Sequence, residues 1–148
     1  MNQKKTEQIH CHHQQQPERI NPQRVKPVDQ QADRKAQEHA DHSAHLANAT
    51  QPEFLSTLVV SFPQGEARFR AGFPGWEPLG QHGLFVEMER FLSQLELNRS
   101  VFRSDHASNI LVLKGTLGAD KARLLEQVRQ AIATPEAAPL RPAWARGL

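Results

Sequence analysis

Apolar and polar positions divide this chain near Pro52. Before it, large apolar side chains are few: Ile9, Ile20, Val25, Val28 and Leu46 stand among Gln, His, Asn and mixed charge. Such scattered positions form no continuous face. The apolar area they offer does not offset a backbone ordering entropy of roughly 1–2 kcal/mol per residue. Pro17, Pro22 and Pro27 interrupt the segment further, each removing a backbone donor. Residues 33–47 are rich in Ala, Gln, Glu, Lys and Arg, which favour helix, but without an apolar face only a partial helix is expected. Residues 1–51 therefore read as a disordered, His/Gln-rich tail.

From Pro52 the pattern changes. The near-continuous apolar run Phe54-Leu55-Ser56-Thr57-Leu58-Val59-Val60-Ser61-Phe62 ends at Pro63 and Gly65, and predicts a strand buried on both faces in a parallel sheet. Residues 71–80 hold Gly72, Pro74, Gly75, Pro78 and Gly80, which predicts turn and loop. Leu84, Met88, Phe91, Leu92 and Leu95 then recur at helical spacing, with Glu87, Glu89, Arg90 and Gln94 between them, so an amphipathic helix is expected. Val101-Phe102-Arg103 predicts a short strand, followed by a polar hinge over 104–109 and a second apolar run over 110–113. Gly115 to Gly118 predict a turn. Asp120 falls in the first turn of the next helix, where its charge complements the dipole, and Leu124, Leu125, Val128, Ala131 and Ile132 form that helix's buried face. Pro135, Pro139 and Pro142 break the end of the chain. Strand, helix, strand, helix is the rhythm of an α/β fold. It occupies 52–134, with 135–148 as a Pro-containing extension.

Composition narrows the functional classes. The 148 residues suit one domain; hydrophobic residues make up 38%, and there is no tyrosine. The formal net charge is +2 and the pI is near 9.0, but Lys and Arg alternate with Asp and Glu. A nucleic-acid binder gathers its positive charge into a patch or stripe, so nucleic acid is a disfavoured partner. The single cysteine, Cys11, allows no internal disulfide, and a reducing cytoplasm is the expected compartment. The first residues lead into no apolar run, so no signal peptide is expected. The longest apolar stretch falls far short of the roughly 20 residues of a membrane span, so no membrane partner is expected.

Three blocks carry a resemblance. They are Val101-Phe102-Arg103-Ser104-Asp105-His106-Ala107-Ser108-Asn109, then Lys114-Gly115-Thr116-Leu117-Gly118-Ala119-Asp120-Lys121-Ala122-Arg123-Leu124-Leu125, and Leu140-Arg141-Pro142-Ala143-Trp144-Ala145-Arg146-Gly147-Leu148. In order and spacing, residues from about Phe54 to the C-terminus resemble the final portion of a bacterial radical S-adenosylmethionine (radical SAM) iron–sulfur enzyme family. The resemblance implies a partial βα-barrel fragment of two to three strands and two helices, with active sites at the C-terminal ends of the strands. That family holds a [4Fe–4S] cluster through three cysteines spaced C-x3-C-x2-C, and SAM completes the coordination; soft thiolates suit iron–sulfur ligation. Cys11 alone cannot supply this set, and the family's N-terminal barrel strands have no counterpart here. Asp105 stands where the family usually has Asn, and Ile110 where Tyr is common.

The candidate chemistry is concentrated between the two apolar runs. Arg103, Ser104, Asp105, His106, Ser108 and Asn109 would, by the resemblance, line a substrate or SAM pocket in a complete barrel. The plainer reading is a hydrogen-bonded turn in which Asp105 or Asn109 caps backbone groups. His10, Cys11, His12 and His13, with His39, His42 and His45, are weak metal candidates; immediate neighbours converge poorly on one ion, and a solvated tail is the competing reading. Phe73, Trp76 and Trp144 suit either ligand stacking or a core, the core being favoured.

Two functional readings follow. The first is a truncated or detached portion of a radical SAM protein, inactive by itself, binding no cofactor alone and needing a partner chain for the rest of the barrel. The alternative is a small non-catalytic α/β interaction module with a weakly metal-binding tail. A remnant reading frame with no stable product is the third possibility.

Overall fold

The computed structural model of the chain describes residues 27–62 and 64–146. Its first element is a 24-residue helix, α1 (Pro27–Thr50). It is followed by strand β1 (Phe54–Ser56), the short helix α2 (Glu66–Gly72) and helix α3 (Gln81–Gln94). Strands β2 (Val101–Ser104) and β3 (Leu113–Thr116) and helix α4 (Lys121–Ala133) complete the order, before one 3-10 turn at Ala143–Ala145. The chain is a mixed α/β protein. No helix among the described residues is long and apolar enough to cross a membrane.

Helix α1 corrects the expectation of a disordered segment over its length; residues 1–26 lie outside the described residues. Its buried face is made of Ala36, Ala40, Ala44 and Ala47, spaced four, four and three residues apart. Alanine contributes little apolar area, but it brings two helix backbones close and costs no side-chain entropy on burial. Its face packs on α3, and Ala40, Ala44 and Ala47 join the same core as Phe85, Phe91 and Leu92. The helix ends are stitched by side chains. Asn48 Nδ2 donates to the Gln94 carbonyl at 2.8 Å, while its Oδ1 accepts the Glu96 N–H at 2.7 Å. Gln51, with φ 47°, closes α1, and its N–H donates to the Ala47 carbonyl.

The last carbonyls of α3 need partners, as at any helix C-terminus. Lys121 Nζ supplies two more donors there, to Ser93 O at 2.9 Å and Leu95 O at 2.5 Å, tying the start of α4 to the end of α3. On α4, Leu124, Val128 and Ala131 are buried, and Leu125 and Ile132 pack at the edge of the core. The expected amphipathic faces of both helices are present.

The sheet order is β1-β2-β3. β1 runs parallel to β2, pairing Leu55 with Phe102. β3 runs antiparallel to β2, pairing Ser104 with Leu113. The expected parallel sheet therefore holds for one pair only. The β-run over 54–62 is also corrected: regular strand stops at Ser56, and alternate side chains are open, Phe54 at 68%, Leu58 at 58% and Val60 at 62%. It is an edge strand with one covered face. Gly115, expected in a turn, lies inside β3, and the turn begins at Leu117. Gly118 there has φ 98°, and a Cβ would strike the backbone of Asn98, so glycine is required for both conformation and space. Helix α2 occupies residues expected to be loop at Ala71 and Gly72, and none of its side chains is buried.

The close α1–α3 contact makes a stability prediction. Ala44→Leu, at a site 1% exposed, overpacks the contact and lowers stability by about 1–3 kcal/mol in urea denaturation. Ala49→Leu, on the exposed side of the same helix, stays within about 0.5 kcal/mol of the parent.

Candidate functional site

The parallel pair β1–β2 delivers two chain segments to the same end of the sheet, the end where α/β proteins place ligands. One segment continues β1 through Thr57 and Val59. The other leaves β2 at Ser104 and turns through residues 105–109. Asn109 joins them and is 3% exposed. Its Oδ1 accepts the Val59 N–H at 2.8 Å, and its Nδ2 donates to the Thr57 carbonyl at 2.9 Å and to Ser104 Oγ at 3.0 Å. The Thr57 N–H donates to the Arg103 carbonyl, extending the ladder past the regular strand. One amide side chain thus replaces the backbone pairing that ends at Ser56.

The turn itself is held from outside. Arg141 Nη1 donates to the His106 carbonyl at 2.5 Å and the Asn109 carbonyl at 3.1 Å, and Nη2 to the Asp105 carbonyl at 3.4 Å. The Arg141 N–H donates to Ile110 O at 2.7 Å, and Leu140 bridges Leu111. Within the turn, His106 Nδ1 accepts the Ser108 N–H at 3.2 Å and lies 2.9 Å from Ser108 Oγ. An amide can only donate, so Nδ1 is unprotonated and the Ser108 hydroxyl donates to it.

The six sequence-selected residues therefore separate. Ser104, Ser108 and Asn109 are buried; Ser108 bonds within the turn, whereas Asn109 bonds Ser104 and the segment after β1. Arg103 and His106 are exposed, and Asp105 pairs with Lys114 Nζ at 3.0 Å. The Lys114 ammonium beside it is the main reason the Asp105 carboxyl is held below its ordinary range. Arg103 lies opposite Lys114 in the β2–β3 register and opposite Ser56 in the β1–β2 register.

A cavity of about 280 Å³ opens beside this junction, between α1, α3 and the sheet. Leu84, Met88 and Phe91 of α3, Leu111, and Ala40 of α1 supply apolar wall. Glu87, Thr57 and Ser43 add polar groups, and Ser104 and Asn109 line it as well. The Thr57 hydroxyl oxygen is buried with no hydrogen-bond partner. Burial pushes the Glu87 carboxyl above its ordinary range, and the charge of His39 across on α1 offsets only part of that. No motif pointed to this cavity. Glu87 sits three residues after Leu84 and four before Phe91, which places it on the margin of the apolar stripe, and that spacing was its only signal.

The metal candidates divide likewise. His10, Cys11, His12 and His13 lie outside the described residues. His39, His42 and His45 are exposed along α1, where His42 and His45 border a shallow hollow with Glu38 and Asp41. Asp41 is engaged by Arg90 through two bonds of 2.6 and 2.8 Å. Among the described residues no three His, Cys, Asp or Glu side chains are placed to hold one ion. The aromatic candidates also depart from the expected core. Phe73 is 60% and Trp144 87% exposed, while Trp76 packs edge-on to Phe62 and Phe69 in a cluster beside α2.

No family model, curated protein or solved structure matches this chain.

Two measurements follow from the geometry. Asn109→Ala leaves the Val59 N–H and the Thr57 carbonyl, both part-buried, without their Asn109 partner, at roughly 1 kcal/mol for each lost bond. Its expected signature is loss of protection at the Val59 amide in hydrogen exchange. Glu87 gives a pH dependence of opposite sign to the aspartates. Its folded-state affinity for protons exceeds the unfolded one, so its contribution is most favourable below 4.5 and is lost as pH rises through the folded value. Glu87→Gln therefore raises the melting temperature at neutral pH, and the gain shrinks as the solution is acidified past the carboxylate range.

Proposed function

We propose that the chain forms one wall of a βα-barrel of the radical SAM type, and that its chemistry requires a partner segment or chain completing the barrel. The resemblance of the three blocks carries this reading. The geometry is compatible with it in one specific respect. Helices α1, α3 and α4 contribute to a single core on one side of the sheet, where Leu55, Phe102 and Leu113 point. The opposite side bears Phe54 and Arg103, and Leu58 and Val60, past the end of β1, are exposed. In a barrel the helices lie outside and the bare face lines the interior, so Arg103 would project toward a bound ligand. β1 has no strand partner on its outer edge among the described residues, and an open apolar edge favours pairing with further strands.

The cofactors would then be a [4Fe–4S] cluster and SAM, held by cysteines spaced C-x3-C-x2-C on the completing segment. The described residues contain no cysteine to serve as a ligand. The antiparallel β3 departs from a regular βα-barrel and would make the barrel's last turn an addition to its wall. A second reading, a non-catalytic interaction module, is favoured by the half-buried aromatic cluster around α2, whose Phe73 is exposed.

Reconstitution with iron and sulfide separates the two. The chain alone is expected to give no absorbance near ~400 nm, the region of thiolate clusters, and no SAM cleavage. Copurified with a segment bearing the three cysteines, it gives both. A brown, SAM-cleaving preparation of the chain alone contradicts the proposal, and so does a cysteine-bearing segment that forms its cluster and cleaves SAM without binding this chain.

A further inference from the structure

The cavity beside Glu87 has a chemistry that the barrel reading does not use. It lies between the helices and the sheet, on the side opposite the bare face. At about 280 Å³ it stands just under the roughly 300–1,000 Å³ usual for small-molecule sites. Most of its wall is apolar. Its one carboxylate, Glu87, makes no hydrogen bond or ion pair among the described residues, whereas Glu89, two positions on, is engaged by Arg129 at 2.9 Å. The Thr57 hydroxyl oxygen also lacks a partner, but it has almost no accessible surface and is closed to a ligand. A half-buried carboxylate beside an apolar hollow is complementary to a group that carries positive charge on a hydrocarbon body.

We propose that this cavity binds a compact organic amine, its ammonium group donating to Glu87 and its apolar body lying against Leu84, Met88 and Phe91. A bare metal ion fits poorly: calcium takes six to eight oxygen ligands, and the wall offers one carboxylate and a few hydroxyls among hydrocarbon. An anion would meet Glu87 with like charge. A neutral molecule would fill the hollow but leave the carboxylate unpaired. Ser43, on the facing side of α1, and Ser104, whose Oγ accepts from Asn109 Nδ2, also line the cavity. His39 is the titratable group of α1 whose charge acts on Glu87, and an arriving ammonium would take over that role at shorter range.

Three probes of one shape distinguish the possibilities on the full chain: phenethylamine, 2-phenylethanol and phenylacetate, each titrated into the ¹⁵N-labelled protein and followed by NMR. The expected result is that the amine shifts the amides of residues 57–59 and 84–91 and binds at least about tenfold tighter than the alcohol, a difference of about 1.4 kcal/mol. Phenylacetate leaves those amides unmoved. Glu87→Gln, which keeps the shape of the side chain, brings the amine down to the alcohol's affinity. The wild-type comparison stands without the variant. Equal binding of amine and alcohol overturns the proposal, as does an amine that shifts only amides remote from the cavity or none at all.

Discussion

The close seating of α1 on α3 is the contact on which the rest of the structure depends, and only small side chains permit it. Ala36, Ala40, Ala44 and Ala47 lie along one side of α1, and each is under a tenth exposed. Because they are small, the two helix backbones approach and the polar side chains near their ends can reach across. Asn48 then satisfies groups at Gln94 and Glu96, and Lys121 reaches the neighbouring carbonyls from α4. The helix that precedes β1 thereby becomes one covering layer with the two that follow it. Where α1 offers only Ala40 and Ser43 against the larger side chains of α3, the layer does not close, and the cavity beside Glu87 remains.

The same layer fixes what the sheet can do. One face is packed and the other is open, and the parallel pair delivers its ends to a common junction governed by Asn109 and Arg141. Neither residue is free to act on a ligand without giving up a structural bond. The groups left available are those the junction does not consume: Arg103 on the open face, and Glu87 in the cavity. Function, in either reading, falls to side chains that the fold has not already used.

The sequence made some of this legible and concealed the rest for identifiable reasons. α3, β2 and α4 were readable because large apolar residues such as Phe91, Phe102 and Leu124 repeat at the period of their element. α1 was not, because its buried positions are alanines, whose small apolar area makes a helix look faceless. The run from Phe54 to Phe62 looked doubly buried because apolarity on the open face of an edge strand cannot be told from apolarity in a core. Gly115 signalled a turn, yet its lack of a Cβ serves another purpose: a methyl there would meet Asp120 Cβ at 2.8 Å, crowding the carboxylate that accepts the Thr116 N–H. The polar character of residues 104–109 was visible, but their inward bonding depends on Arg141, which is distant in sequence and close in space.

Amide hydrogen exchange on the intact chain at neutral pH probes the central contact directly. If α1 is part of the core, the amides around Ala40–Ala47 exchange slowly and share an opening free energy with those of α3 and β2, as members of one cooperative unit. Exchange of the α1 amides at the rate of a free peptide, beside protected α3 and β2, would contradict the account.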